Sequence, residues 1–232
     1  MTSMPKTFYR VAAAASILSA FTTLGLIFLP ELFATNPEGI AGRMMRVTEP
    51  AYQLRAWIYL IHPFLCFTAI LAMGIACRRV APALALAGIL GFGLWAITEA
   101  GQQTLTLFAF DDWRRAWLAG DPAVRATMEL RAAIYDGLWD AAYSLLLIGI
   151  ILGSAFFCAM LLKFRDGLSR TVGILFGANV FLSLTFLSGE VGGPTLPPGI
   201  SFWIYPALQP LARVLIGLWL FRIASEGEPS EA

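Results

Sequence analysis

The residues of this chain that could do chemistry are ionisable and amide side chains set inside long apolar runs. Arg55, Tyr59, His62 and Cys66 follow one another at steps of three or four. Glu99, Gln102, Gln103 and Thr106 form a second stripe, and Asp136, Asp140, Tyr143 and Ser144 a third. Asn179, Ser183 and Glu190 make a fourth, and Tyr205, Gln209 and Arg213 a fifth. Residues at such steps share one face of a helix. Placing them in hydrocarbon is costly, so each is a pointer to a site or to a paired network. His62, Glu99, Gln103, Asp136, Asp140, Glu190, Gln209 and Arg213 are therefore the candidates for a ligand-binding or polar network. Arg213 alone in hydrocarbon would cost about 3 kcal/mol or more, so it needs a partner. Glu99 is the first candidate for that partner and Asp140 the second. His62 can gain a proton near neutrality.

Catalytic chemistry is less well provided for. A single histidine cannot supply a multi-histidine metal site or a bis-histidine haem. There is no GxSxG elbow, and Ser188-Gly189-Glu190 is not a nucleophile motif. Asp136 and Asp140 stand in the DxxxD spacing with which intramembrane prenyl and phosphatidyl transferases hold magnesium on a diphosphate, but the pattern occurs once and without companion motifs. Cys66, Cys77 and Cys158 lie in apolar runs and lack CxxC spacing, as packing residues do. The residues suggest no catalytic set and no cofactor, and they leave a metal undecided.

The elements that must position these side chains are written in the composition. Of 232 residues, 58% are hydrophobic and only 13% charged, about half the charged share of a soluble domain. A net charge of +1 gives no basic stripe for nucleic acid. A hydrocarbon core needs about 20 apolar residues of helix. Six segments qualify, near 10–30, 55–77, 82–110, 133–162, 170–190 and 201–222. Lipid offers no partner to backbone polar groups, so these runs must be helices. The fold expected is all-α: a polytopic bundle of six transmembrane helices over residues 1–224, with a short acidic, disordered tail at 225–232.

Arg78, Arg79, Lys163, Arg165 and Arg170 mark the second and fourth connections as basic, whereas 191–200 has no positive residue. With Lys6, Arg10 and Arg222, this places both termini in the cytoplasm. The two long outer connections carry helix starts at Asn36-Pro37-Glu38 and Asp121-Pro122, which predict short amphipathic helices there and a fourth helix projecting above the bilayer. Trp113, Trp117, Trp139 and Trp203 fall near the outer boundary. With this topology the ionisable residues occupy the outer half of the membrane or its midplane. The expectation is a polar pocket closed below by apolar packing.

The Asn36-Pro37 helix start, the Arg55-Ala56-Trp57 opening of span two, the Asp121-Pro122 start before span four and the Leu162-Lys163-Phe164-Arg165 link carry a resemblance. Together they are similar to the bacterial six-span membrane family catalogued as domain of unknown function 4386, over roughly residues 9–222. The resemblance implies the fold and brings no catalytic residues. Glu99, Asp140 and Arg213 stand out against the low buried charge typical of that family. Two roles are expected from the sequence. One is binding or passage of a small cation or amphipathic molecule in a bacterial cytoplasmic membrane, among membrane lipids. The alternative is a non-catalytic accessory or scaffold subunit beside a partner membrane protein. Inward convergence of the polar stripes favours the first, and outward display the second.

Overall fold

A computed structural model describes residues 4–33 and 39–228, and every regular element within them is helical. Six helices are long and apolar enough to cross a membrane. They are built on α1 (Lys6–Phe28), α3 (Pro50–Cys77), α4 (Pro82–Leu105), α6 (Pro122–Leu161), α7 (Gly167–Glu190) and α8 (Pro198–Glu226), the first running on to Leu32 and the third to Ala119. Two shorter helices, α2 (Gly39–Met45) and α5 (Asp111–Ala119), lie in the long connections. The helix start expected at Asn36-Pro37 falls outside the described residues, and α2 is described from Gly39.

Local chemistry sets the boundaries. Asp121 Oδ1 accepts from the Ala123 and Val124 N–H groups at 2.9 and 3.0 Å, with Pro122 at the first helical position. That cap opens the 40-residue α6, the long fourth helix expected from this motif. Asp166 caps α7 by accepting from Ser169 N–H at 2.9 Å. Between α4 and α5, Thr106–Phe110 forms a π-turn, so the third span continues into α5 with its faces re-registered.

The six spans form a ring in chain order: α1 packs on α3, α3 on α4, α4 on α6, α6 on α7, and α8 closes the ring on α1. The α4–α6 contact is the most extensive and α7–α8 the sparsest of the ring. Small residues bring α4 and α6 together: a Cβ at Gly91 would lie 2.4 Å from Gly153 N, and one at Gly149 would lie 2.7 Å from Trp95 N. On the side of the ring that carries both termini, the interior is filled by buried Met73, Phe157, Met160, Leu161 and Trp219.

Both termini lie on one face. Glu228 Oε1 accepts from Met4 N–H at 3.0 Å and from Tyr9 Oη–H at 2.8 Å. Its Oε2 faces Arg78 at 3.4 Å and Arg79 at 3.9 Å. The disorder expected from 225 is thus corrected for 225–228: α8 runs to Glu226, and Glu228 clasps the N-terminal segment at Met4 and the α3–α4 connection. A packed carboxylate and its arginines outrank the composition of so short a segment. Residues 229–232 lie outside the described part.

Arg222 donates to Asp166 at 2.7 Å. Burial raises the Asp166 carboxyl, but Arg222 and the Ser169 donors outweigh it and hold the group at about 2. Burial likewise opposes, and Met4 N–H, Tyr9 and the arginines overcome, so Glu228 also sits below its ordinary value. A carboxyl depressed in the folded state stabilises while ionised, and that contribution disappears as pH falls through the folded value. For Asp166 the loss spans pH 3.8 to about 2. Melting curves in detergent should show wild type losing thermal stability across that range more steeply than Asp166→Asn. Parallel acid limbs would contradict this assignment.

On the opposite, distal face, α2, the π-turn, α5 and the start of α6 build a cap with its own buried cluster of Met44, Phe110, Ala132 and Tyr135. Phe110 and Tyr135 stack at 4.2 Å. Arg114 is buried against the Phe110 ring at 4.2 Å and donates to Asp111 at 2.8 Å and to Tyr52 Oη. Arg43 forks onto both carboxylate oxygens of Asp136.

Candidate functional site

A cavity of about 490 Å³ lies inside the ring, in its distal half, and all six spans line it. That volume is within the roughly 300–1,000 Å³ of ordinary small-molecule sites. Aromatic side chains supply much of the wall: Tyr59 from α3, Trp95 from α4, Trp139 and Tyr143 from α6, Phe186 from α7 and Tyr205 from α8. Leu146, Leu147 and Ile150 of α6 add aliphatic surface. Phe92 forms part of the wall, and Phe157 and Phe176 pack on it, at 5.9 and 5.8 Å between ring centroids.

The polar groups arrive from four helices. On α3, Pro63 follows His62, whose Nδ1 lies 2.7 Å from Thr22 Oγ1. The Thr22 hydroxyl donates to the Ser19 carbonyl at 3.0 Å, so it accepts from His62 Nδ1–H. His62 Nε2 is then the acceptor facing Cys66 Sγ at 3.3 Å. These contacts occupy both ring nitrogens with the protein's own groups. Nearer the distal end of α3, Arg55 Nε donates to the Leu26 carbonyl at 3.1 Å and its guanidinium lies over Tyr59.

On α4, Glu99 is buried beside Trp95, and Gln102 Nε2 donates to the Trp139 carbonyl at 3.0 Å. From α8, Gln209 Nε2 donates to Asn179 Oδ1 of α7 at 2.6 Å, and Asn179 Nδ2 donates to Ser154 Oγ of α6 at 2.9 Å. Arg213 lies 5.7 Å from the centre of the Trp95 ring. Among the described residues its Nε is buried without a hydrogen-bond partner and its guanidinium forms no ion pair within 4.0 Å. Glu99 and His62 share the cavity lining with it. Among the described residues no three His, Cys, Asp or Glu side chains gather to hold a metal ion.

Of the eight candidates from the sequence, His62, Glu99, Gln209 and Arg213 line this cavity. The other four do not. Gln103 is buried off the cavity wall, and its neighbour Gln102 takes the place on the lining. Asp136 belongs to the cap, held by Arg43. Asp140 and Glu190 are exposed. The physical reason is shared: helical periodicity fixes which residues lie on one face, and the packing of neighbours decides what that face meets. The partners proposed for Arg213 are also corrected, since neither Glu99 nor Asp140 forms an ion pair with it. Sequence reasoning missed the Asp111–Arg114–Tyr52 network and the Arg43–Asp136 pair. The i, i+3 spacing of Asp111 and Arg114 was the one available signal for them. No family model, curated protein or solved structure matches the chain.

Proposed function

We propose that this multi-pass membrane protein binds a small amphipathic molecule in the distal cavity. The observation that carries this reading is the inward convergence of polar groups from four helices on one aromatic-walled space. Large apolar walls with a few fixed polar groups are the usual make-up of a small-molecule site. The outside of the ring, by contrast, presents side chains such as Phe21, Leu90, Ile97 and Ile174, which suit lipid. An accessory subunit would be expected to turn its polar stripes outward to a partner. Passage through the bundle is opposed by the packed interior on the side of the termini. A cation is the poorer cargo, because among the described residues Arg55 and Arg213 face the cavity against the single carboxylate of Glu99. The basic residues Arg78, Arg79, Lys163, Arg165 and Arg222 cluster on the face of the termini and support a cytoplasmic placement of that face in a bacterial inner membrane.

Trp95 and Trp139 line the cavity and serve as built-in reporters. With protein in lipid nanodiscs, brominated eleven-carbon amphiphiles with carboxylate, alcohol or trimethylammonium heads should include at least one that quenches tryptophan emission saturably. Ser183 is buried on the wall, so Ser183→Phe should fill the space and weaken that quenching by about tenfold or more. Linear, non-saturating quenching by all three probes, identical in both proteins, is the result that sinks the pocket.

A further inference from the structure

Resting on that reading, we infer that the ligand is a membrane-resident single-chain amphiphile with a carboxylate head, seated on Arg213 and admitted from the bilayer between α7 and α8. The head group follows from charge. Among the described residues the cavity carries two guanidiniums, Arg55 and Arg213, and one carboxylate, Glu99. Even with Glu99 fully ionised, these lining residues leave one positive charge uncompensated on a half-buried guanidinium, and a charge drawn out of water is unfavourable without a counter-ion. The two cations are not equivalent. Arg55 already donates to the Leu26 carbonyl and stacks on Tyr59. Arg213 has a ring beside it and a buried Nε with no acceptor among the described residues. A guanidinium is a planar fork that matches a carboxylate with two parallel hydrogen bonds.

The route follows from packing. The α7–α8 seam is the sparsest contact in the ring. A narrow crevice runs along it, lined by Leu175, Leu208 and Ala212, and reaches Asn179, Gln209 and Arg213, which it shares with the main cavity. The hydrogen bond from Gln209 to Asn179 crosses this seam at 2.6 Å. Pro206 and Pro210 lie on the α8 side of it, and each removes a backbone N–H and weakens the helix locally. One polar latch, a seam of small contacts and a proline-softened helix form a lateral door that leads to the unpaired cation.

The test uses the whole protein in nanodiscs with 11-bromoundecanoate, 11-bromoundecanol and the matching trimethylammonium probe, read by tryptophan quenching. The carboxylate is expected to bind about tenfold or more tightly than the alcohol, and Arg213→Gln should erase that preference. Arg213→Lys keeps the charge and loses the fork, so an intermediate preference is expected. It also decides the matter should Arg213→Gln fail to fold. Ala212→Phe should slow transfer of the carboxylate probe from donor vesicles by about tenfold while leaving its equilibrium affinity unchanged, because a narrowed door retards both directions alike. Saturable binding with no preference for the carboxylate, or a preference that survives in both Arg213 variants, overturns the head-group assignment and leaves the pocket standing. Transfer rates equal in wild type and Ala212→Phe overturn the lateral route. Absence of saturable binding by every probe removes the pocket itself and this inference with it.

Discussion

Gly91→Ala is expected to lower the melting temperature of the detergent-solubilised protein by several degrees, from the addition of one methyl group. The new Cβ would stand 2.4 Å from Gly153 N, 2.7 Å from Gly153 Cα and 3.1 Å from the Gly149 carbonyl. All three are backbone atoms of α6, so no side chain can rotate away, and relief requires the two helix axes to part. Overpacking of a tight interface costs about 1–3 kcal/mol. In a chain of this size each kcal/mol corresponds to a shift of about 2–4 °C where unfolding is two-state. Trp95 and Phe92 of α4 line the cavity, so the same displacement should also weaken ligand quenching. Gly101 is the matched control, since nothing lies within 4 Å of a Cβ built there. Gly91→Ala and Gly101→Ala melting together would show that the α4–α6 contact has slack that the geometry denies.

Asp111→Ala should be as damaging, for an electrostatic reason. Asp111 is fully buried and Arg114 nearly so. Asp111 accepts from Arg114 at 2.8 Å, from Gln53 at 3.2 Å and from Tyr52 at 3.4 Å. Removing the carboxylate strands a buried guanidinium, a change that typically costs about 3–5 kcal/mol. The double change Asp111→Ala with Arg114→Met removes the stranded charge and should recover part of the loss. Hydrogen exchange over 106–135 gives a local readout, with protection lost in the single variant and partly restored in the double. If the double variant is the less protected of the two, Arg114 is not the group left stranded.

The membrane-spanning helices were legible because their lengths and boundaries follow from run length and from Pro and Asp at the helix starts, and both survive in the fold. Four of the polar residues, His62, Glu99, Gln209 and Arg213, meet in one cavity because the first, second and fifth stripes face inward as the ring closes. The sequence could not say which face of α6 points inward, so Asp136 and Asp140 read as equal to Tyr143 when only Tyr143 reaches the cavity. Gln102 and Gln103 are adjacent, and only the rotation of α4 chooses between them. The π-turn at Thr106–Phe110 shifts the register past that point, and no residue there announces it. The cap escaped notice for a different reason. Its charges sit in a connection whose mixed composition suits a solvated surface, and only tertiary packing of Met44, Phe110 and Tyr135 makes that connection an interior. Glu228 was hidden in the same way, as one acid in a short polar tail.

The 40-residue α6 is about 60 Å long at 1.5 Å per residue, twice the roughly 30 Å of a bilayer's oily interior. It is a single continuous rod. Glu129 and Asp136 near its free end are gripped by Trp117 and Arg43, while Trp139 and Tyr143 further along contribute to the ligand chamber. Head and chamber therefore share one stiff lever. A push on the headpiece that tilts the rod must swing the chamber wall with it, and a guest that spreads the wall must lean the headpiece over.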